Sequence, residues 1–518
     1  MAYVGDFDKL PHDRSLQQHD GDGSVEMSGE GALSSGPGQS PILRPGDTCG
    51  RIATADRISV IVDAAPYFAA LHDALQKAQH SIILIGWEFD TRISLVPKQQ
   101  ERMAPSQLGK LFKWLVKHNP DLQIHLLEWD LGMIQALGRG TTPLRIADWI
   151  AGPQITLKLD HAHPPGGAHH QKIIVIDDVL AFCGGIDTTT DRWDTRAHQD
   201  DNPLRQRPTT KRRYGPWHDA TMAVDGDAAR ALGDLARDRW KRATGDELVP
   251  PPRVSPIWPK DLGVSLEKVE VALSCTAPAY GDQAAVLEIE ALYLGIIAAA
   301  RRNVYIESQY FASPKVAEAI SARLCEPDGP EFVVVNPETA DGWLEEKTMG
   351  GARARLLDLI RKTDHPERFK MYTPVATHGT PIYVHAKIVV MDDRLLRVGS
   401  SNLNNRSLGM DTECDISIEA QEHAPEHSSL RQRIGWIRND LIAEHLDVTA
   451  EEVRRAVDTA DGSLIGAIEK LRGDGRTLVP FTPPDLSTFE KQVLGGNALL
   501  DPERPARRWP FFRLFSKS

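Results

Sequence analysis

The chain has 518 residues, of which 41% are hydrophobic and 25% charged, values that exclude wholesale disorder and leave room for about three domains. Its 60 Lys and Arg against 72 Asp and Glu give a net charge of −12, which argues against a general nucleic-acid binder without excluding a local basic cleft. Five scattered cysteines, Cys49, Cys183, Cys275, Cys325 and Cys414, offer neither a disulfide framework nor a zinc-ligand spacing, as expected in a reducing compartment.

Residues 1–43 are rich in Gly, Ser, Asp and Gln and are expected to be disordered, because they bury too little apolar surface to offset chain entropy. No basic stretch followed by an apolar run marks a signal peptide, and the most apolar segment, Ala291 to Ala300, is about half the ~20 residues that span a bilayer. A cytoplasmic or peripheral membrane location is expected, with export by a route lacking a conventional signal left open. From Pro66 to Gln79, the residues Phe68, Leu71, Leu75 and Ala78 recur at helical spacing. The run from Ser81 to Phe89 then reads as a buried strand. The same order recurs at Ala284 to Arg302 and Asn303 to Phe311, which predicts an α/β fold. Thr244 to Gly263 carries five prolines and reads as a linker between a first half, 44–243, and a second, 264–440. Residues 441–518 read as a helical extension, with a capping-box pattern at Thr449 to Glu452 and a basic-aromatic tail.

The strongest signal is duplicated. His170-x-Lys172-x4-Asp177 recurs as His385-x-Lys387-x4-Asp392. Each copy is followed by a small-residue turn, Gly184-Gly185-x-Asp187 and Gly399-Ser400-x-Asn402, with 14 residues from histidine to glycine and 17 to Asp187 or Asn402. One such motif is expected by chance about 0.3 times in this composition, and two with the same downstream turn far less often. On an extended strand, His-x-Lys places both side chains on one face. A glycine turn is expected to bring backbone N–H groups close to an anion. Two halves together then offer two histidines and two lysines around one phosphate. That set suits double displacement, in which one histidine attacks phosphorus while the other protonates the leaving oxygen, and the lysines stabilise the non-bridging oxygens. This chemistry needs no metal and no cofactor, and no metal-binding motif is present.

With these motifs, and with the stretches Gly184 to Thr195, Pro216-Trp-His-Asp219, Val304 to Phe311 and Gly399 to Ser407, the sequence resembles the phospholipase D superfamily from about Arg44 to Leu441. It is closest to a minimal, bacterial-type phospholipase D. The resemblance implies two similar α/β/α halves related by a pseudo-two-fold axis, with the active site at their interface. It also implies His170 as nucleophile, His385 as general acid, and Lys172, Lys387 and Asn402 on the phosphate. Asp177 and Asp392 would be supports, and Glu413 would orient a catalytic histidine. For the first-half counterpart of Glu413, Asp194 is the leading candidate, with Asp200, Asp201 and Asp219 as rivals.

Among the aromatic residues beside the motifs, Trp193 and Trp217 lead Trp87, Tyr310 and Phe311 as candidates to line a lipid pocket. The basic loop of Arg205, Arg207, Lys211, Arg212 and Arg213 reads either as a solvated loop or as an attractor of anionic headgroups. The tail, with Trp509, Phe511, Phe512 and Phe515, either docks on a membrane or packs on the protein. The expected activity is hydrolysis of a phosphatidylcholine-like glycerophospholipid at a membrane surface to phosphatidic acid and free headgroup alcohol. Water or a primary alcohol would be acceptor, and a monomer that binds no nucleic acid is expected. The alternatives are phosphatidyl transfer of the cardiolipin-synthase type and a nucleic-acid phosphodiesterase.

Overall fold

The computed structural model describes residues 40–97, 104–130, 153–339, 343–421, 427–482 and 501. The first half comprises β1 (Arg51–Val62), α1 (Ala64–Leu75), β2 (Ser81–Gly86), α2 (Leu108–His118), β3 (Gln123–Trp129), β4 (Ile155–Asp160), β5 (Ile173–Ile176), β6 (Leu180–Gly184), β7 (Trp217–His218), β8 (Ala220–Asp225) and α3 (Gly226–Thr244). The second begins with β9 (Leu266–Ala277), β10 (Val286–Leu287), α4 (Glu288–Ala299), β11 (Asn303–Glu307), α5 (Pro314–Leu324), β12 (Glu331–Val335) and α6 (Trp343–Ile360). It continues with β13 (Phe369–Val375), β14 (Tyr383–Val384), β15 (Ile388–Met391), β16 (Leu395–Gly399), α7 (Asn405–Gly409), β17 (Glu413–Glu419) and α8 (Ser428–Leu446). Helices α9 (Ala450–Thr459) and α10 (Leu464–Leu471) and strand β18 (Thr477–Pro480) follow.

One continuous sheet crosses both halves. Outward from the central pair, one side runs β1-β8-β6-β5-β2-β3-β4 and the other β9-β17-β16-β15-β11-β12-β13-β18. The succession of strands is the same on both sides until β18. The seam is the antiparallel pairing of β1 with β9, from Arg51 opposite Leu273 to Ile58 opposite Leu266. Strands β5 and β15 are uninterrupted apolar runs because the sheet is covered on both faces. Helices α1 and α2 pack on one face of the first half through Phe68, Leu71, Leu111 and Phe112, and α4 and α5 cover the second through Leu292, Ile296 and Ile320. A single core with α3 and α8 runs across the seam on the opposite face, where Leu232, Val271, Ile416 and Ile437 belong to one cluster.

Several boundaries differ from the sequence reading. Ile42 is buried, and the N–H groups of Ile42 and Leu43 donate to the Glu419 carboxylate, so placed structure starts before residue 44. The rest of the expected disordered segment, 1–39, lies outside the described residues. The second helix is shorter than Ala284 to Arg302 because Val286 and Leu287 pair with β9. Residues 245–263 contain no helix or strand. They are pinned by Trp258, whose indole N–H donates to Leu262 O at 2.8 Å under the Arg57 guanidinium. The extension is not wholly helical, since β18 joins the sheet edge beside β13. The tail from Arg504 lies outside the described residues.

The turns after β6 and β16 require glycine for close approach. A Cβ on Gly184 would lie 2.4 Å from Thr221 Cα, and one on Gly399 would lie 1.8 Å from Asp415 Oδ1. Asp415 cannot yield, because its other oxygen is held by the buried Arg397 guanidinium, with Nε at 2.9 Å. Gly399→Ala is therefore expected to destabilise the fold by about 1–3 kcal/mol, read as a lower urea midpoint at unchanged slope.

Candidate active site

The two histidines stand on extended segments just before β5 and β15, and each is fastened by the opposite half. The His170 N–H donates to Thr412 O at 2.9 Å, and His170 Nδ1 lies 3.0 Å from Glu413 Oε2. In the mirrored arrangement, β14 pairs with β7, the His385 N–H donates to His218 O at 2.8 Å, and His385 Nδ1 lies 2.7 Å from Asp219 Oδ2. In both cases an Nδ1–H donating to the carboxylate leaves Nε2 as the nitrogen that carries the lone pair. Both lysines curl alongside, with Lys172 Nζ donating to His170 O at 2.9 Å and Lys387 Nζ to His385 O. Lys172 also lies 3.2 Å from Asp187, whose Oδ1 accepts the Trp87 N–H at 3.1 Å.

The carboxylate facing His385 is thus Asp219 and not Asp194. Asp194 accepts from Arg205 Nη1 at 2.9 Å, the Trp217 N–H at 2.9 Å and His198 Nδ1 at 3.0 Å. Asp200 accepts the His378 N–H, and Asp201 pairs with Arg213. All four acids lie near the motif in sequence, and only β7 pairing with β14 selects among them.

The small-residue turns are used differently from the expected anion cradle. The N–H groups of Gly184 and Gly399 donate to Lys172 O and Lys387 O, and that of Gly185 donates to Ala220 O. The Ser400 N–H donates to Asp415 Oδ1 at 3.0 Å. Every one of these donors already has a protein acceptor. Glycine at 185 instead lets Asp219 approach, since a Cβ there would lie 2.1 Å from its Oδ1. The Ser400 hydroxyl serves the site by donating to Glu413.

Asp177 and Asp392 sit at the far ends of β5 and β15 from the histidines. Asp177 accepts the N–H groups of Gln79, His80 and Ser81 at 2.6–2.8 Å, and Asp392 those of Arg301, Arg302 and Asn303 at 2.6–2.9 Å. They brace β2 and β11, away from the histidine rings. Asn402 donates to Gln309 Oε1 at 3.4 Å, and its own buried Oδ1 has no hydrogen bond. Trp217 stacks on Tyr383 at 4.6 Å and lies 5.3 Å from the His385 ring, whereas Trp193 packs with the core under α1. Trp87 meets the His170 ring edge-on at 5.1 Å. Phe311 is core, and Tyr310 accepts from Gln309. In the basic loop, Arg205 is buried on Asp194 and Arg207 pairs with Asp191 at 2.6 Å, so much of its charge is neutralised internally. Arg192, not singled out in the sequence, lies 4.4 Å over Trp217 and acts electrostatically on His385; its one signal was its place in the Gly184 to Thr195 stretch.

Burial dominates the electrostatics. It holds His170 well below the usual imidazole range, helped by Lys172 and Lys387. It does the same to His385, helped by Lys387, Arg192 and Lys172. Each histidine thus feels both lysines, as one shared centre requires. Burial also pushes Glu413 up to about 7, against the pull of Lys172 and Ser400. Lys387 is pushed down to about 7, first by burial and then by Lys172, against the attraction of Asp219.

Residues 293–434 match the family model described as cardiolipin synthase, PLD-like domain. The chain is 26% identical over 429 residues to phospholipase D A of Dictyostelium discoideum, covering 69% of this chain and 32% of that one. It is 24% identical over 527 residues to phospholipase D alpha 1 of Zea mays, covering 74% and 64%. By these matches the chain is similar to the phospholipases D, with a PLD-like domain over residues 293–434. It spans between about a third and two thirds of the length of these curated relatives. Among solved structures it is similar to a phosphatidylserine synthase from Haemophilus influenzae Rd KW20, with TM-score 0.48 and 12% identity, over 73% of this chain and 86% of that one. Another is the phospholipase D family member Nuc from Salmonella typhimurium, with TM-score 0.21 and 14% identity, over 29% and 82%.

Two outcomes follow from this geometry. Glu413→Gln and Asp219→Asn should each lower kcat by roughly 10–100-fold with a smaller change in KM, because each loosens a histidine without touching substrate. In the free protein, both histidines are already neutral at pH 7, while Lys387 loses its charge as pH rises through about 7. A profile of kcat/KM against pH should therefore peak near 7, because Glu413 gains its charge and Lys387 loses its own over the same range, and Lys387→Arg should weaken the alkaline limb.

Proposed function

We propose that this centre cleaves the headgroup phosphodiester of phosphatidylcholine-like glycerophospholipids, releasing phosphatidic acid and the headgroup alcohol. The observation that carries the reading is the pair of histidines held crosswise, each with Nδ1 on a buried carboxylate and with a lysine two residues on. His170 Nε2 attacks phosphorus as the bond to the headgroup oxygen breaks. His385 gives that oxygen its proton, and a phosphatidyl group remains on His170. The bound phosphate anion offsets the lysine charges that help depress the histidines, so His385 can carry its proton when the substrate is present. His385 then takes a proton from water, the oxygen attacks phosphorus, and the bond to His170 breaks. A primary alcohol can replace water in this second step, yielding a phosphatidylalcohol. One chain supplies both histidines, so the site needs no second copy.

The names of the relatives support a phospholipid substrate. The description of the matched family model favours a second reading, in which the acceptor is itself a lipid alcohol. Among the described residues no helix is long and apolar enough to cross a membrane, and the lipid would be met at a membrane surface.

The test incubates the protein with phosphatidylcholine labelled in its phosphate, with and without ethanol or phosphatidylglycerol. Phosphatidic acid, and phosphatidylethanol when ethanol is present, are the expected products. Cardiolipin as the main product would favour the second reading, and faster cleavage of an oligonucleotide would overturn both. Acid-quenched His385→Asn should retain label on His170; label on His385 in His170→Asn would reverse the two roles.

A further inference from the structure

Beside Asp219 lies a second group of ionisable side chains that the reaction does not use. Asp63 follows β1, His198 lies in the loop before β7, His218 belongs to β7, and Glu444 comes from α8. All four side chains are 0% exposed. His198 Nε2 and His218 Nδ1 each lie 3.0 Å from Glu444 Oε1, and they lie 3.7 and 3.5 Å from the oxygens of Asp63. One donor atom from each residue falls within 4.8 Å of all the others. A tetrahedral zinc ion with bonds near 2.0–2.1 Å keeps its ligand atoms about 3.3–3.5 Å apart. The four histidine–carboxylate separations, 3.0–3.7 Å, straddle that spacing.

Two independent observations point to an occupant. Neither oxygen of the fully buried Asp63 carboxylate makes a hydrogen bond, although its backbone is held at φ 68° and ψ 155°, a conformation that costs an L-residue energy. Buried carboxylates left in this way are expensive unless a cation meets them. The outward nitrogens of both histidines, moreover, are already committed to carboxylates. His198 Nδ1–H donates to Asp194 Oδ2 at 3.0 Å, and His218 Nε2–H to Glu307 Oε2 at 2.7 Å. With those outward nitrogens protonated, loss of the inward protons to a metal would leave both inward nitrogens presenting lone pairs, the arrangement found around zinc-bound histidines. The supporting acids are satisfied in turn. Asp194 takes Arg205, Glu307 takes the Tyr305 hydroxyl at 2.6 Å and His445 Nε2 at 3.2 Å, and Glu444 Oε2 takes Arg196 Nη1 at 3.1 Å. Two neutral histidines, two carboxylates and one divalent ion sum to zero charge, as a dry site requires.

We propose that Asp63, His198, His218 and Glu444 bind one zinc ion that fastens α8 to the loop presenting Asp219 to His385. With all four positions taken by protein the site is closed, so the ion is structural and takes no part in phosphodiester cleavage. Two nitrogen donors select zinc over calcium or magnesium, which prefer an all-oxygen shell. The proposal rests on the geometry of these residues and is independent of the reaction proposed above.

The competing state is a cluster filled by protons, since the neighbouring carboxylates raise His198 to about 9 and His218 well above the usual imidazole range, in both cases against the opposing effect of burial. Elemental analysis of the untagged full chain, purified without chelator, separates the two. About one zinc per chain is expected, falling below about 0.1 in both His198→Ala and Glu444→Gln with a lowered Tm. X-ray absorption at the zinc edge of the unaltered protein should show four nitrogen or oxygen neighbours and no sulfur, a readout that does not depend on either variant folding. Protein that lacks zinc, and whose Tm added zinc sulfate does not raise, would overturn the proposal. So would zinc retained equally in both variants, or a shell containing sulfur. Zinc absent after purification but restored by addition, with a raised Tm, would support it.

Discussion

Everything at the centre depends on one constraint, that each motif histidine is oriented by a carboxylate from the other half of the chain. Glu413 serves His170 and Asp219 serves His385, and in both cases the backbone of the partner segment holds the histidine N–H as well. Neither half supplies the carboxylate for its own motif histidine. The long β1–β9 seam, the core that crosses it, and the glycines that let Thr221, Asp219 and Asp415 approach the turns all bring those two pairs into register. A buried carboxylate is costly without a donor, so the crosswise pairs also couple the docking of the halves to the correct tautomer of each ring.

The same burial shapes the charge of the site. Net charge over the whole chain is −12, yet the histidines sit in a field dominated by Lys172, Lys387 and Arg192. Desolvation and these cations both favour neutral imidazoles, the form a nucleophile needs. An anion placed between these cations would relieve their mutual repulsion. The acidity of the chain is spread over the surrounding shell and over internal pairs such as Arg397 with Asp415.

Residues beyond the second motif also bear on this centre. Helix α8 sends Glu444 to His198 and His218, and its neighbour His445 reaches Glu307. Because His218 precedes Asp219 in the chain and its carbonyl holds the His385 N–H, the helical extension is mechanically linked to His385. Strand β18 adds a further anchor at the edge beside β13. The extension is therefore part of the scaffold of the site, although no motif marks it.

The sequence by itself determined the duplication, the α/β class and the identity of the two His-x-Lys pairs, because these are local patterns with periods and spacings that survive without a fold. It also located Glu413 through a family pattern. Tertiary structure decided what depends on contact between distant segments. Asp219 was chosen over Asp194, Asp200 and Asp201 by the pairing of β7 with β14, and the glycine turns became close-packing devices because their N–H groups found acceptors on neighbouring strands. The cluster of Asp63, His198, His218 and Glu444 spans nearly 400 residues of sequence with no repeated spacing. Such a set has no linear signature, because its ligands meet only when β1, β7 and α8 pack together.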